Sequence, residues 1–135
     1  MENMNELIIK AKLVKQASKA LLKCTTEQKN KALHLVADQL IAEKNYILDE
    51  NQKDIAQANE KGLSPSIIDR LLLNETRIEN MVEALRALVN LEDPTGKVVD
   101  SWQPPNGINI TKITVPLGVV GMIYEARPNV TVDAA

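Results

Sequence analysis

A chain of 135 residues is long enough for one domain with a modest core, and 44% hydrophobic and 25% charged residues match an ordinary globular protein. The formal charge of -2 comes from interspersed Lys and Glu with no basic block, which argues against a nucleic-acid partner. No run approaches the roughly 20 apolar residues that span a bilayer, and Glu2, Glu6, Lys10, Lys12 and Lys15 interrupt any secretory leader.

The aromatics are Trp102, Tyr46 and Tyr124, so the core must be aliphatic. The lone Cys24 cannot close an intrachain disulfide, which fits a cytoplasmic location. From Asn5 to Lys23, Leu7, Ala11, Val14, Ala17, Leu21 and Leu22 recur at helical spacing. Thr25 and Gln28 then read as a capping box for a helix whose stripe runs through Leu33, Val36, Ala37, Leu40, Ile41, Ile47 and Leu48. The polar cluster Asp49-Glu50-Asn51-Gln52 is expected to kink or restart it before Ile55 and Ala58.

Gly62 suits the left-handed residue that ends a helix, and Ser64-Pro65 suits a cap followed by proline at the first helical position. Asn74 offers a further cap ahead of a stripe of Ile78, Met81, Val82, Leu85, Leu88 and Val89. Asp93-Pro94-Thr95-Gly96 is turn chemistry and closes the helical block, residues 1–96. Residues 97–116 read as a β-hairpin, with strands Lys97–Gln103 and Ile108–Val115 around Pro104-Pro105-Asn106-Gly107. Its faces are of mixed polarity, as at an edge or an interface.

Residues 117–135 change character again. Leu117–Tyr124 is nearly continuous in apolar residues, as in a strand buried on both faces of a parallel sheet, and a helix starts at Val130. Such a strand needs parallel neighbours joined by crossovers, so the sequence is expected to be truncated. The fold class read here is α/β: a helical block, a hairpin and the first strand of a Rossmann-like sheet.

Most polar residues read as structural. Cys24 reads as a small residue at a helix end and His34 as a histidine beside an apolar stripe, with no metal-ligand spacing around it. Glu27, Asp38, Glu43, Asp49, Glu50 and Asp54 read as a solvated helix face, and Met81 and Met122 as packing. Gly118 and Gly121 lie within the apolar run and form no Gly-x-Gly-x-x-Gly fingerprint; close approach of a neighbouring backbone is their expected use. Glu125, Ala126, Arg127, Pro128 and Asn129 differ, because they occupy the carboxyl end of the apolar run, where open α/β sheets bind ligands. Asn129 suits a helix cap or an oxyanion donor. Arg127 suits an anion clamp or an ion pair with Glu125.

The run Val115 to Ala135, with Tyr124-Glu125-Ala126-Arg127-Pro128-Asn129-Val130-Thr131-Val132-Asp133 at its centre, closely resembles the signature of γ-glutamyl phosphate reductases. Ile47 to Asn51, Lys61 to Ser64, Asp69 to Leu73 and Leu91 to Val98 resemble the same family in the same order. The resemblance implies an aldehyde dehydrogenase-like fold, in which residues 1–96 belong to the cofactor domain and the hairpin to the oligomerisation region. It implies NADPH-dependent reduction of γ-glutamyl phosphate to glutamate 5-semialdehyde and phosphate, in proline biosynthesis, by a homo-oligomer in the cytoplasm. A cysteine thiolate forms a thioester in that chemistry, and the resemblance places this cysteine beyond residue 135. The 135 residues alone are therefore expected to be inactive. Asn129 is the nearest counterpart of the superfamily's oxyanion Asn, although Arg127 falls closer by counting from the strand. Arg127 is the implied substrate contact, and Glu125, Ala126 and Arg127 the implied neighbours of the nicotinamide. Another aldehyde dehydrogenase-like acyl reductase, or a helical interaction module without chemistry, are the alternative readings.

Overall fold

The computed structural model describes residues 2–134; Ala135, expected in the starting crossover helix, lies outside them. Among the described residues the elements are α1 Glu2–Leu21, α2 Thr26–Ala42, α3 Lys44–Glu60, α4 Pro65–Leu71, α5 Glu75–Val89, β1 Val98–Trp102, β2 Ile110–Ile113 and α6 Val130–Asp133. They fall into two compact units, each assembled from two stretches of chain: Met1–Thr26 with Glu92–Gly121, and Glu27–Leu91 with Met122–Ala135.

The second unit holds the core. Ile78, Met81, Val82 and Leu85 form the buried stripe of α5, and Val82 and Leu85 meet Ala37 of α2. Leu33, Leu40 and Val132 of α6 pack around that cluster, so the segment after Tyr124 is anchored by an apolar side chain. Leu88, expected in the stripe, is 52% exposed. The ion pairs Arg86–Asp38 at 3.3 Å and Lys44–Glu75 at 3.2 Å lie at the surface, where such pairs contribute little.

Helix boundaries follow local chemistry, with one exception. Gly62 sits at φ +67, and the N–H groups of Gly62 and Leu63 donate to Asn59 O and Ala58 O in a Schellman motif ending α3. Pro65 occupies the first turn of α4 as expected, but the Ser64 hydroxyl makes no cap; its carbonyl accepts from Ile67 and Ile68 instead. The Asn74 side chain accepts from Arg77 N–H at 2.8 Å and caps α5. Because Asn74 is exposed, Asn74→Ala should cost about 1 kcal/mol through the cap alone, and Asn74→Gly only a few tenths, in urea unfolding of this chain.

The exception is the break between α2 and α3. It falls at Glu43, not at residues 49–52, and main-chain bonds from Glu43 to Gln39 and from Ile47 to Glu43 carry the helix across it as a kink. The polar cluster stays helical because Asn51 turns inward. Only 4% of Asn51 is exposed; its Nδ2 donates to Leu71 O at 2.9 Å and its Oδ1 accepts from Leu73 N–H at 2.7 Å. One amide on α3 thus fixes the chain leaving α4.

In the first unit, β1 and β2 pair antiparallel from Val98↔Ile113 to Trp102↔Ile110, with an irregularity between Val98 and Asp100. The hairpin forms where expected. Gly107 at φ +82 donates to Pro104 O, and Gln103 Nε2 donates to Gly107 O at 3.0 Å to close the loop. Thr114 ties its base, with Oγ1 donating to Pro94 O and accepting from Lys97 N–H at 2.9 Å. Every residue of both strands is exposed, and the apolar stripe expected on α1, from Leu7 through Val14, is exposed as well.

Leu117–Tyr124, expected as a strand of a parallel sheet, is unpaired among the described residues. The run carries no ladder among the described residues, and Leu117 is 94% exposed. A parallel strand is defined by neighbours that supply its hydrogen bonds, and β1 and β2 pair only with each other. Gly118 lies at φ +96, outside the strand region, and a Cβ at Gly118 or Gly121 would meet nothing within 4 Å. Met122, expected in packing, is exposed.

Candidate active site

The turn from Tyr124 to Asn129 is built by strain and local hydrogen bonds. Ala126 has φ +52, a left-handed conformation uncommon for a residue with a Cβ, and it redirects the chain between Glu125 and Arg127. Tyr124 Oη and Thr131 Oγ1 are 2.6 Å apart, joining the two sides of the turn. Val130 N–H donates to Arg127 O at 3.1 Å, and Val132 and Asp133 N–H both donate to Asn129 O at 3.0 Å, starting α6.

Asn129 does not cap this helix. Its φ of -61 and ψ of -30 are already helical, whereas a capping residue needs an extended backbone to return its side chain to the free N–H groups. The amide instead donates to Asp133 Oδ2 at 2.9 Å, and its second hydrogen makes no further bond among the described residues. Arg127 is exposed and, among the described residues, makes neither the expected pair with Glu125 nor another hydrogen bond. A carboxylate two residues away across a left-handed residue is poorly placed for it.

Arg127, Pro128, Asn129 and Asp133 line one side of a cavity of about 440 Å³. Asp69 and Arg70 of α4 and Arg77 and Asn80 of α5 supply its other polar groups. Arg77 is structural: its guanidinium donates to the carbonyls of Asp69 and Leu72 and holds Asp69 Oδ1 at 2.9 Å. The cavity is therefore lined by three arginines and two aspartates, each carboxylate already engaged by a neighbour, and this balance favours an anionic occupant. Glu125 and Ala126 belong to the same turn but do not line it.

The other candidate residues do not gather at a comparable site among the described residues. Cys24 Sγ donates to Ala20 O at 3.7 Å at the end of α1, and His34 is exposed on α2. Among the described residues no three His, Cys, Asp or Glu side chains converge as a metal site. Lys53, whose ammonium is held above its ordinary range by its hydrogen bond to Glu50, is a fully exposed group on α3 outside the cavity. No described helix is long and apolar enough to cross a membrane. The sequence singles out Arg70, Arg77 and Asn80 by no motif; the one signal is the charged pair Asp69-Arg70 set directly before Leu71-Leu72-Leu73.

No family model matches the chain. Curated proteins named gamma-glutamyl phosphate reductase are similar to it over 132 residues: 56% identity in Bacillus anthracis and 55% in Geobacillus sp. (strain WCH70). Each match covers 98% of this chain and 32% of the relative, so the chain spans about a third of the length of the curated relatives it matches. A crystal structure of gamma-glutamyl phosphate reductase from Thermotoga maritima superimposes with a TM-score of 0.92 at 43% identity, covering 96% of this chain and 31% of that one. The Saccharomyces cerevisiae enzyme gives 0.86 at 32% identity, over 92% of this chain and 32% of its own.

Proposed function

We propose, for a chain that belongs over 98% of its residues to the γ-glutamyl phosphate reductase family, that it serves the reduction of γ-glutamyl phosphate to glutamate 5-semialdehyde in proline biosynthesis. The observation that carries this reading is the cavity at the Tyr124–Asn129 turn, which joins an uncommitted guanidinium to a fixed side-chain amide. Arg127 binds the phosphoryl group bidentately, and Asn129 donates its second amide hydrogen to the acyl oxygen as that oxygen gains charge. A cysteine thiolate attacks the acyl carbon, the bond from that carbon to the phosphate oxygen breaks, and phosphate leaves as the thioester forms. We place that cysteine in the part of the family's length that these residues do not span, since Cys24 belongs to the end of α1.

A nicotinamide cofactor, NADPH in this reading, supplies the hydride when bound. The backbone of Glu125, Ala126 and Arg127 fits its carboxamide end, because the N–H groups of these residues make no main-chain bond among the described residues. The absence of a Gly-x-Gly-x-x-Gly turn fits a role for these residues at that end and not at the pyrophosphate. Residues 1–96 are read as the helical part of an aldehyde dehydrogenase-like cofactor domain, and residues 117–135 as the first strand and crossover helix of its sheet. The hairpin of residues 97–116 is read as part of a homo-oligomer interface, since a two-stranded ribbon exposed on both faces is marginal by itself. The location proposed is the cytoplasm.

A chimera tests the assignment. Replacing the matched 132-residue stretch of the Bacillus anthracis reductase with the residues of this chain is expected to retain phosphate- and NADP-dependent oxidation of glutamate 5-semialdehyde within about tenfold. A folded chimera of native mass without that activity would sink the reading. The 135-residue chain alone is expected to show none.

A further inference from the structure

We infer that Arg70 binds the carboxylate of the substrate's amino-acid end and so selects an acidic acyl chain over an uncharged one. This rests on the reductase reading of the same cavity and adds to it a residue on a different element.

Arg70, Arg77 and Arg127 all line the cavity, but Arg77 is occupied by Asp69 and by two carbonyls. Asp69 is thereby taken, and Asp133 accepts from Asn129. Arg70 and Arg127 are left without an acidic partner among the described residues. Two cationic residues lining one concavity repel each other, and an occupant with negative charge relieves both.

Position says what kind of occupant. Arg127 stands beside Asn129 on the turn before α6, whereas Arg70 stands in the last turn of α4. A ligand that engages each of them separately carries an anionic group at each end. Leu72, Leu73, Met81 and Ala84 line the same cavity and offer methylene groups an apolar contact. A short aliphatic chain with an acid at either end meets all three conditions, and γ-glutamyl phosphate is such a molecule. With the phosphoryl group at Arg127 and the acyl oxygen at Asn129, the remaining carboxylate falls to Arg70. The competing role, a cation complementing the carbonyl end of α4, needs no cavity and predicts an effect on stability alone.

The test uses the chimera, with glutamate 5-semialdehyde compared against butanal, an aldehyde without the carboxylate. Arg70→Met should raise KM for the semialdehyde about tenfold or more, leave kcat within about threefold, and leave kcat/KM for butanal unchanged. Arg70→Lys should recover part of the loss, because a point charge replaces the bidentate fork. An active chimera in which Arg70→Met leaves the preference between the two aldehydes unchanged would overturn the inference while leaving the reductase reading intact. A folded but inactive chimera would remove the reductase reading; binding then decides for Arg70. L-Glutamate titrated into the 135-residue chain should shift the Arg70 side-chain resonances saturably. 4-Aminobutyrate, which lacks the α-carboxylate, should not, and equal shifts with both would refute the assignment.

Discussion

Replacing Asn51 with alanine is expected to destabilise the chain by about 2–4 kcal/mol, more than any surface substitution in it. The side chain is 4% exposed, and both ends of its amide are engaged, one by Leu71 O and one by Leu73 N–H. Removing it leaves a buried N–H without an acceptor, which costs about 1–3 kcal/mol by itself, and a carbonyl without its donor. The loss also frees the chain between α4 and α5, where Leu73 is buried and Arg77 is held by Leu72 O. Asn51→Leu separates volume from hydrogen bonding. It fills the space yet leaves Leu73 N–H unpaired, so it should be destabilised to a similar degree. Urea unfolding followed by circular dichroism measures both. A loss below about 1 kcal/mol in Asn51→Ala would show that water replaces the amide at little cost.

That residue also marks where sequence reasoning stopped. Gly62, Pro65 and Asn74 announce helix boundaries because each acts within one turn of its own position. The α5 stripe is legible for the same reason: Ile78, Met81, Val82 and Leu85 follow helical periodicity. Asn51 is not legible, because its partners lie 20 and 22 residues away and a polar cluster on a helix ordinarily faces water. The kink at Glu43 has no proline, glycine or capping bond to announce it. Leu117–Tyr124 shows the opposite limit. Its apolar pattern says strand, but a pattern states only which faces are to be covered, and pairing depends on neighbours the described residues do not supply.

The candidate site divides similarly. Arg127 and Asn129 were visible because they end an apolar run and enter a helix. Arg70 was hidden in the last turn of α4, where a basic residue is expected on dipole grounds alone. It joins Arg127 only because Val132 packs on the α2–α5 core and brings α6 within reach of α4 and α5. The cavity is thus a consequence of packing the second unit, and no spacing along the chain encodes it.

The roles proposed for Asn129 and Arg127 predict different kinetic signatures. Asn129→Ala in the chimera should lower kcat about 10²–10³-fold, the usual effect of deleting one oxyanion donor, with KM moved only a few-fold. The donor matters only as charge develops, so its loss belongs to the transition state. Arg127→Met removes a contact to a phosphoryl group that is already charged in the ground state, and should act mainly on KM for the acyl phosphate. Asp133→Ala adds a third signature. Asp133 Oδ2 holds the Asn129 amide at 2.9 Å, so its loss should reduce kcat by a smaller factor, through misorientation of an intact donor. Steady-state kinetics on the three variants resolves the order. If Asn129→Ala leaves kcat within about threefold while Arg127→Met lowers it a hundredfold, the roles exchange: the guanidinium is the oxyanion donor, as counting from the apolar run allows, and Asn129 serves to shape the turn.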